Sequence, residues 1–220
     1  MYSNINFRWY GQDSIVLHSQ NGSTVFVDPF NLPAVYTAKV DAVFITHPHF
    51  DHLSIKDIVK VATAETPIFV PCNAVDKLKT EGFRNIKRLK PGHRFTFSGI
   101  SVDVFPAYNI VKKKYHPKKS QWLGYVFTID GQRIYVPGDT ERIPEMKEVE
   151  ADIAFMPLGQ TYTMNSVDEA VEAVLDTKAK VAIPIHYGMF EGTFGDALSF
   201  RKKLTPHGVE VFMHRKAYSI

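Results

Sequence analysis

Apolar residues recur along this chain with two periods, and each change of period marks an element boundary. The runs over 5–10 and 14–19, split by Gly11-Gln12-Asp13, are β-rich and predict a hairpin. Thr24-Val25-Phe26-Val27 follows the turn Asn21-Gly22 and stops at Asp28-Pro29, and the apolar run over 41–46 predicts a buried strand. At Ser54 the spacing turns helical. Ile55, Ile58, Val59 and Ala62 share a face, with Ser54 placed as N-cap. A short strand over 67–71 precedes a helix over 74–80, with Asn73 as its cap and Gly82 as its stop. Strands are predicted over 86–89 and, as a hairpin about Ser98-Gly99, over 93–97 and 100–105. Two more, over 122–129 and 132–136, flank Asp130-Gly131, the strongest short hairpin signal. A strand over 151–156 leads to the capping box Ser166-Val167-Asp168-Glu169. The helix behind it puts Val167, Ala170, Val171, Val174 and Leu175 on one face. A strand over 180–185, a helix over 195–204 and a strand over 209–213 complete the pattern.

Strands come first, strand and helix then alternate, and the scheme roughly repeats. No linker, repeat or low-complexity segment divides the halves. That order predicts one α/β (α+β) domain over residues 1–220, built of two packed sheets with helices outside. Composition supports an ordinary core, at 45% apolar and 13% aromatic residues. A formal charge of +3 is too small to argue for nucleic acid. The single Cys72 excludes an intrachain disulfide and a thiolate zinc cluster. The stretch from Met1 to Asn6 lacks a basic start and an apolar run, and no run of about 18 apolar residues occurs anywhere. A soluble cytoplasmic protein is expected, without a signal peptide or a membrane span.

The candidate chemistry sits in Thr46-His47-Pro48-His49-Phe50-Asp51-His52, where three His and one Asp fall within six residues. Imidazole and carboxylate are ligands that borderline divalent metals prefer, and crowded imidazoles gain little without a metal to pair them. On an extended loop leaving a strand, His47 and His49 share a side and can take one cation. Asp51 and His52, at the start of a helix, can point at a second. Asp28, His47, Asp139 and His186 each fall just after a predicted strand, so one sheet edge can gather them. Asp28 is open between orienting a ligand His and forming the turn before Pro29. His18 and His93 lie in strand contexts and read as structural.

His47-x-His49-x-Asp51-His52, Gly138-Asp139-Thr140 and Ile185-His186-Tyr187-Gly188, in this order and spacing, resemble the metallo-β-lactamase superfamily. Within it the chain is similar to the small metal-dependent hydrolases related to ascorbate-6-phosphate lactonase and N-acyl-phosphatidylethanolamine phospholipase D. The resemblance implies an αββα four-layer sandwich with two divalent ions, zinc foremost, with Mn2+ or Fe2+ also suited to nitrogen and oxygen ligands. It assigns His47 and His49 to metal one, Asp51, His52 and His186 to metal two, and Asp139 to both. The chain departs from the family at the third ligand of metal one. After the strand ending Val104-Phe105-Pro106-Ala107 the family carries a His, and here Tyr108-Asn109 stands. His116 is the preferred substitute because imidazole binds better than an amide, with Asn109 or a water as the alternatives.

The expected reaction is hydrolysis. A metal-bound hydroxide, aimed by Asp51, attacks an ester, lactone or phosphoester, and the cations stabilise the oxyanion. Lys112, Lys113, Lys114, Lys118 and Lys119 put five Lys into eight residues around His116. They form either a solvated loop or a basic mouth for an anionic small molecule, with Lys114 as a substrate contact. Tyr162, Met164 and Tyr187 either line the pocket or pack. A phosphodiesterase or nuclease of the same fold is one competing expectation, weakened by the absence of aromatic-interleaved basic patches. A non-catalytic metal-binding regulator is another, weakened by Asp51. A redox di-iron role is weaker still, because His49 stands where such relatives carry a carboxylate. A homo-oligomer stays open, and the fold does not fix the substrate.

Overall fold

The computed structural model describes residues 6–213. The expected start of the first strand at Ile5, and the stretch 1–5 that bears on a signal peptide, lie outside the described residues. Two sheets carry the fold. The first has six strands in sequence order: β1 (Asn6–Trp9), β2 (Ile15–His18), β3 (Thr24–Val27), β4 (Ala42–Phe44), β5 (Ile68–Pro71) and β6 (Ile86–Leu89). The second has seven: β7 (Arg94–Phe97), β8 (Ile100–Ala107), β9 (Trp122–Ile129), β10 (Gln132–Val136), β11 (Ile153–Pro157), β12 (Val181–Ile185) and β13 (Glu210–Val211). Each sheet begins with antiparallel neighbours and ends with parallel ones, from β3 onward in the first and from β10 onward in the second. This is the repeated scheme expected from the order of the elements. Parallel neighbours have a geometric consequence: the carboxyl ends of β3, β4, β10 and β12 are where Asp28, His47, Asp139 and His186 emerge.

Alternation along the strands assigns their faces. Leu17, Val25, Val27, Ala42 and Phe44 join the core shared with the second sheet, while Val16, Phe26, Val43, Ile45, Ile68 and Val70 pack under the helices. Those helices are α1 (Ile55–Val61) and α2 (Val75–Thr80). On the far side, α3 (Val167–Asp176) and α4 (Phe194–Leu204) bury Ala170, Val174, Ala197 and Phe200 in the core of the second sheet. The layers therefore run helix, sheet, sheet, helix. Phe44 sits between the sheets. It stacks on Phe69 at 4.6 Å and meets Tyr125 and Phe127 edge-on at 5.3 and 4.9 Å.

Local chemistry explains most boundaries. Asp130 and Gly131 both have positive φ, at 51° and 78°, the backbone that a two-residue hairpin turn requires. Ser166 accepts from the Glu169 amide at the start of α3, and Thr193 and Asp196 form a reciprocal box at the start of α4. Five details differ from the sequence expectation. Asn73 does not cap α2, because 72–74 wind into a short 3-10 turn that leads straight into it. Val59 is half exposed, and α1 buries Asp57 instead. That carboxylate accepts from the amides of Asn31 and Leu32 and from the Ser54 hydroxyl, so Ser54 precedes the helix without capping its backbone. The last strand shrinks to 210–211, and His93 precedes β7 rather than lying in it.

Candidate metal centre

Strand ends bring the predicted residues together. His47 and His52 leave β4, Asp139 leaves β10, and His186 leaves β12. All are buried, as is Asp51, while His49 is partly exposed. Asp139 lies at the middle. Its Oδ2 is 3.1 Å from His116 Nε2 and 3.8 Å from His47 Nε2. Its Oδ1 is 3.0 Å from His186 Nε2 and 3.4 Å from His52 Nε2. One carboxylate thus gives each oxygen to a different set of imidazoles. The ligand atoms of His47, His49, His116 and Asp139 lie within 4.8 Å of one another, and so do those of Asp51, His52 and His186.

Hydrogen-bond partners fix which ring atoms face the centre. Asp28 accepts from the Thr46 amide at 2.8 Å and from the Thr46 hydroxyl at 2.5 Å, and its Oδ2 lies 2.8 Å from His52 Nδ1. A carboxylate only accepts, so His52 carries its hydrogen on Nδ1 and turns Nε2 inward. The Thr46 hydroxyl spends its hydrogen on Asp28. Its oxygen, 3.0 Å from His47 Nδ1, therefore accepts from that ring, and His47 Nε2 is likewise left facing inward. His47 Nε2 and His49 Nδ1 converge to 2.9 Å. His186 holds Nδ1 3.0 Å from Glu191 Oε1. Asp28, open at the sequence level, is thus the partner of a site His as well as a turn residue, with φ at 46°.

His116 completes the first set, and Asn109 stands behind it: its Nδ2 lies 3.2 Å from His116 Nδ1. Glu141 makes this possible. Its buried carboxylate accepts from the amides of Ile110, Val111 and Lys112, folding the loop so that His116 returns to the centre. Gly138 allows a close backbone approach, since a Cβ there would lie 2.9 Å from the Thr46 Cβ.

Charge is balanced internally. Burial alone would lower the affinity of His52 for its proton, but Asp139, Asp51 and Asp28 outweigh it and raise its pKa well above the ordinary value. His186 is raised in the same way, chiefly by Asp139. Burial would raise Asp139, and the charges of His186 and His52 instead hold it well below the carboxylate range. Burial also pushes His47 well down, helped by the neighbouring His52.

A divalent cation fits this donor set. His52 Nε2, His116 Nε2 and Asp139 Oδ1 are buried without a hydrogen-bond partner, and both ring nitrogens lie close to the Asp139 carboxylate, at 3.4 and 3.1 Å. Nitrogen and carboxylate donors of this kind suit zinc, manganese and iron.

Above the cluster opens a pocket of about 390 Å³, lined by His49, Phe50, Asp51, Tyr115, His116, Asp139, Tyr162, His186 and Phe190. Of the residues left open between lining and packing, Tyr162 lines the pocket. Tyr187 does not: it is buried against Trp9, with ring centres 5.4 Å apart. Met164 is core as well. Lys114 does not line the pocket either, and packs its ammonium 4.6 Å from the Tyr115 ring. Lys112 and Lys118 are engaged elsewhere, on the Gln160 and Met164 carbonyls and on Tyr108 and Glu145. His18 pairs with Thr24, in the strand pairing remote from the site. Gln12, Asp13, Glu191, Glu141 and Trp122 were not singled out from sequence. Asp13 carried the one usable signal, a carboxylate in a turn at a strand end, as Asp28 does.

Two sheets with helices outside, and a buried His and Asp cluster at their carboxyl edge, define a metal-dependent enzyme as the class that the geometry suits. Residues 17–187 match the β-lactamase superfamily domain, and the chain belongs to the metallo-β-lactamase superfamily. A UPF0173 metal-dependent hydrolase of Staphylococcus aureus is 30% identical, over 92% of this chain and 94% of the relative. A crystal structure from Parabacteroides distasonis, described provisionally as a metal-dependent hydrolase, superposes with a TM-score of 0.84 at 35% identity, over 96% of this chain and 93% of that one. Igni18, a metallo hydrolase of Ignicoccus hospitalis, shares the fold at a TM-score of 0.78 and 20% identity, over 98% and 97% of the two chains. The chain is a metal-dependent hydrolase. Among the described residues, no helix is long and apolar enough to cross a membrane.

Proposed function

We propose that this hydrolase works with two divalent cations. His47, His49 and His116 would hold one, Asp51, His52 and His186 the other, and Asp139 would touch both. The division of the two Asp139 oxygens between the two imidazole sets carries this reading. Bound cations would supply an acidified water and a Lewis acid for the developing oxyanion. Zinc suits the three-imidazole set best.

The protein's own part is to aim and to exclude. Asp51 lies at the pocket floor and receives the Gln12 amide at 3.2 Å. That bond fixes one oxygen and leaves the other to orient the attacking water and take its proton. Glu191 and Asp28 hold His186 and His52 in place from behind. The bond cleaved is an ester, lactone or phosphoester of a small molecule. Phe50, Phe190, Tyr115 and Tyr162 give the walls an apolar character, so the group beside that bond is apolar. The basic-mouth alternative lacks a lysine in the lining, and Lys112, Lys114 and Lys118 contact carbonyls, Tyr115, Tyr108 and Glu145 instead. The protein is read as acting in the cytoplasm.

A panel of p-nitrophenyl esters, lactones and bis(p-nitrophenyl) phosphate, assayed on metal-loaded protein, tests the reading. Turnover should favour apolar acyl groups over anionic ones, and Asp51→Asn should lose at least about 100-fold in kcat, the scale of a lost general base. Equal turnover by Asp51→Asn at equal metal content would remove Asp51 from the chemistry.

A further inference from the structure

The turn between β1 and β2 reaches the site without lining the pocket. Gly11 and Gln12 both have positive φ, at 107° and 47°, an uncommon backbone for Gln. The turn is anchored firmly. Trp9 Nε1 donates to the Gln12 carbonyl at 2.7 Å, and the His186 amide reaches the same carbonyl at 3.3 Å. Two side chains are thereby directed inward. Gln12 Nε2 lies 3.2 Å from Asp51 Oδ2 and 3.0 Å from His186 Nε2. Asp13 has no exposed surface, and neither of its oxygens has a hydrogen-bond partner. Its carboxylate lies within 4.8 Å of the inward atoms of His52 and Asp139.

A buried carboxylate without donors is costly unless something positive meets it. The groups facing Asp13 are His186 and His52 on one hand and Asp139 and Asp28 on the other. His52 is already shared among Asp28, Asp51 and Asp139, and His186 between Asp139 and Glu191, which leaves neither ring to serve Asp13 alone. A turn needing only shape would be served by a neutral residue.

We propose that Asp13 is a carboxylate ligand of the cation on the His52 and His186 side, a role beyond the ligand set drawn above. The inference rests on the two-cation reading. It makes the two positions unlike. The first has three imidazoles and a share of Asp139, while the second has two imidazoles with Asp13, Asp51 and Asp139. Oxygen-rich sets suit harder ions such as Mn2+ better than purely imidazole sets do. The second position is therefore the one that accepts Mn2+ readily, while the first is the zinc position.

The test is Mn2+ binding to metal-stripped full-length protein, wild type against Asp13→Asn, followed by loss of the free-ion electron paramagnetic resonance signal. Thermal unfolding is measured in parallel. Wild type should take up Mn2+, and Asp13→Asn should bind it at least about tenfold more weakly while binding zinc at the first position unchanged. Without metal the variant should melt no lower than wild type, since Asp13 makes no bond there to lose. With metal its gain in Tm should be smaller, because a tenfold weaker site stabilises by about 1.4 kcal/mol less under excess ligand. Equal Mn2+ affinity in the two proteins overturns the role of Asp13 alone. A metal-free variant that melts well below wild type, with unchanged binding, makes Asp13 a structural residue and also overturns it. Wild type that binds no cation overturns the two-cation reading itself.

Discussion

Glu191 is a single side chain on which both the pocket and the metal set depend. Its buried carboxylate accepts from the Thr161 and Tyr162 amides at 2.8 and 2.6 Å and from the Thr163 hydroxyl at 2.8 Å, and it stands 3.0 Å from His186 Nδ1. Glu191→Ala would strand three donors and free the His186 ring. An unmet buried donor costs about 1–3 kcal/mol. Residues 160–162 are exposed enough for water to reach some of these donors, so a total loss of about 2–4 kcal/mol is expected. Glu191→Gln keeps the volume but loses the charge and should lose about 1–2 kcal/mol. Partners behind a ligand His typically carry 10–100-fold in metal affinity, and both variants should lose affinity on about that scale. The effect depends on pH in a defined direction. Burial would raise the Glu191 carboxyl, and the pairing with His186 outweighs it, holding the group below its ordinary 4.5. Its stabilisation is therefore present above the unfolded value and lost as pH falls through the lower folded one. Urea unfolding followed by circular dichroism, and competition against a chromophoric chelator, read the two quantities. Wild-type stability in Glu191→Ala together with metal affinity within twofold of wild type would refute the reasoning.

Three further outcomes follow from the same geometry. Asp28→Asn should weaken metal binding by about 10–100-fold, because Thr46 and His52 lose a common acceptor; unchanged affinity would demote Asp28 to a turn residue. Phe44→Ala should cost about 3–5 kcal/mol in urea unfolding, since the ring is enclosed between the sheets; a loss below about 1 kcal/mol would mean the sheets collapse onto the gap. His52 and His186 keep their protons above the ordinary imidazole range, so cation binding must release protons and tighten as pH rises, about tenfold per unit for each proton displaced. Calorimetry in buffers of different ionisation heat measures that release, and its absence would contradict the assignment of these rings.

Much of this was legible because strand ends speak plainly. A buried strand followed at once by a polar residue marks a sheet edge, and His47, Asp139, His186 and Asp28, singled out by motif and residue type, all stand at such a point in the sequence. Hairpin turns such as Asp130-Gly131 were legible for the same reason, a backbone need met by specific residues. Distance in sequence hid the rest. Nothing near Glu191 announces that it faces His186, because Gly192 and Gly159 let two loops close on each other. His116 was preferred on ligand chemistry alone. What returns it to the centre is Glu141, whose role depends on three amides about 30 residues away. The lysines stayed open for a related reason: charge density in sequence does not say which way a loop turns, and here Lys112 reaches the Gln160 and Met164 carbonyls while Lys118 lies exposed beside Tyr108 and Glu145.

Asp139 is proposed to stand between two cations. An anomalous difference map, collected at a metal absorption edge from crystals of the metal-loaded protein, reads their positions without further assumption. Two peaks should flank Asp139, one among His47, His49 and His116 and the other against His52 and His186. A map without a peak beside Asp139, or with its only peak away from these residues, would contradict the proposal.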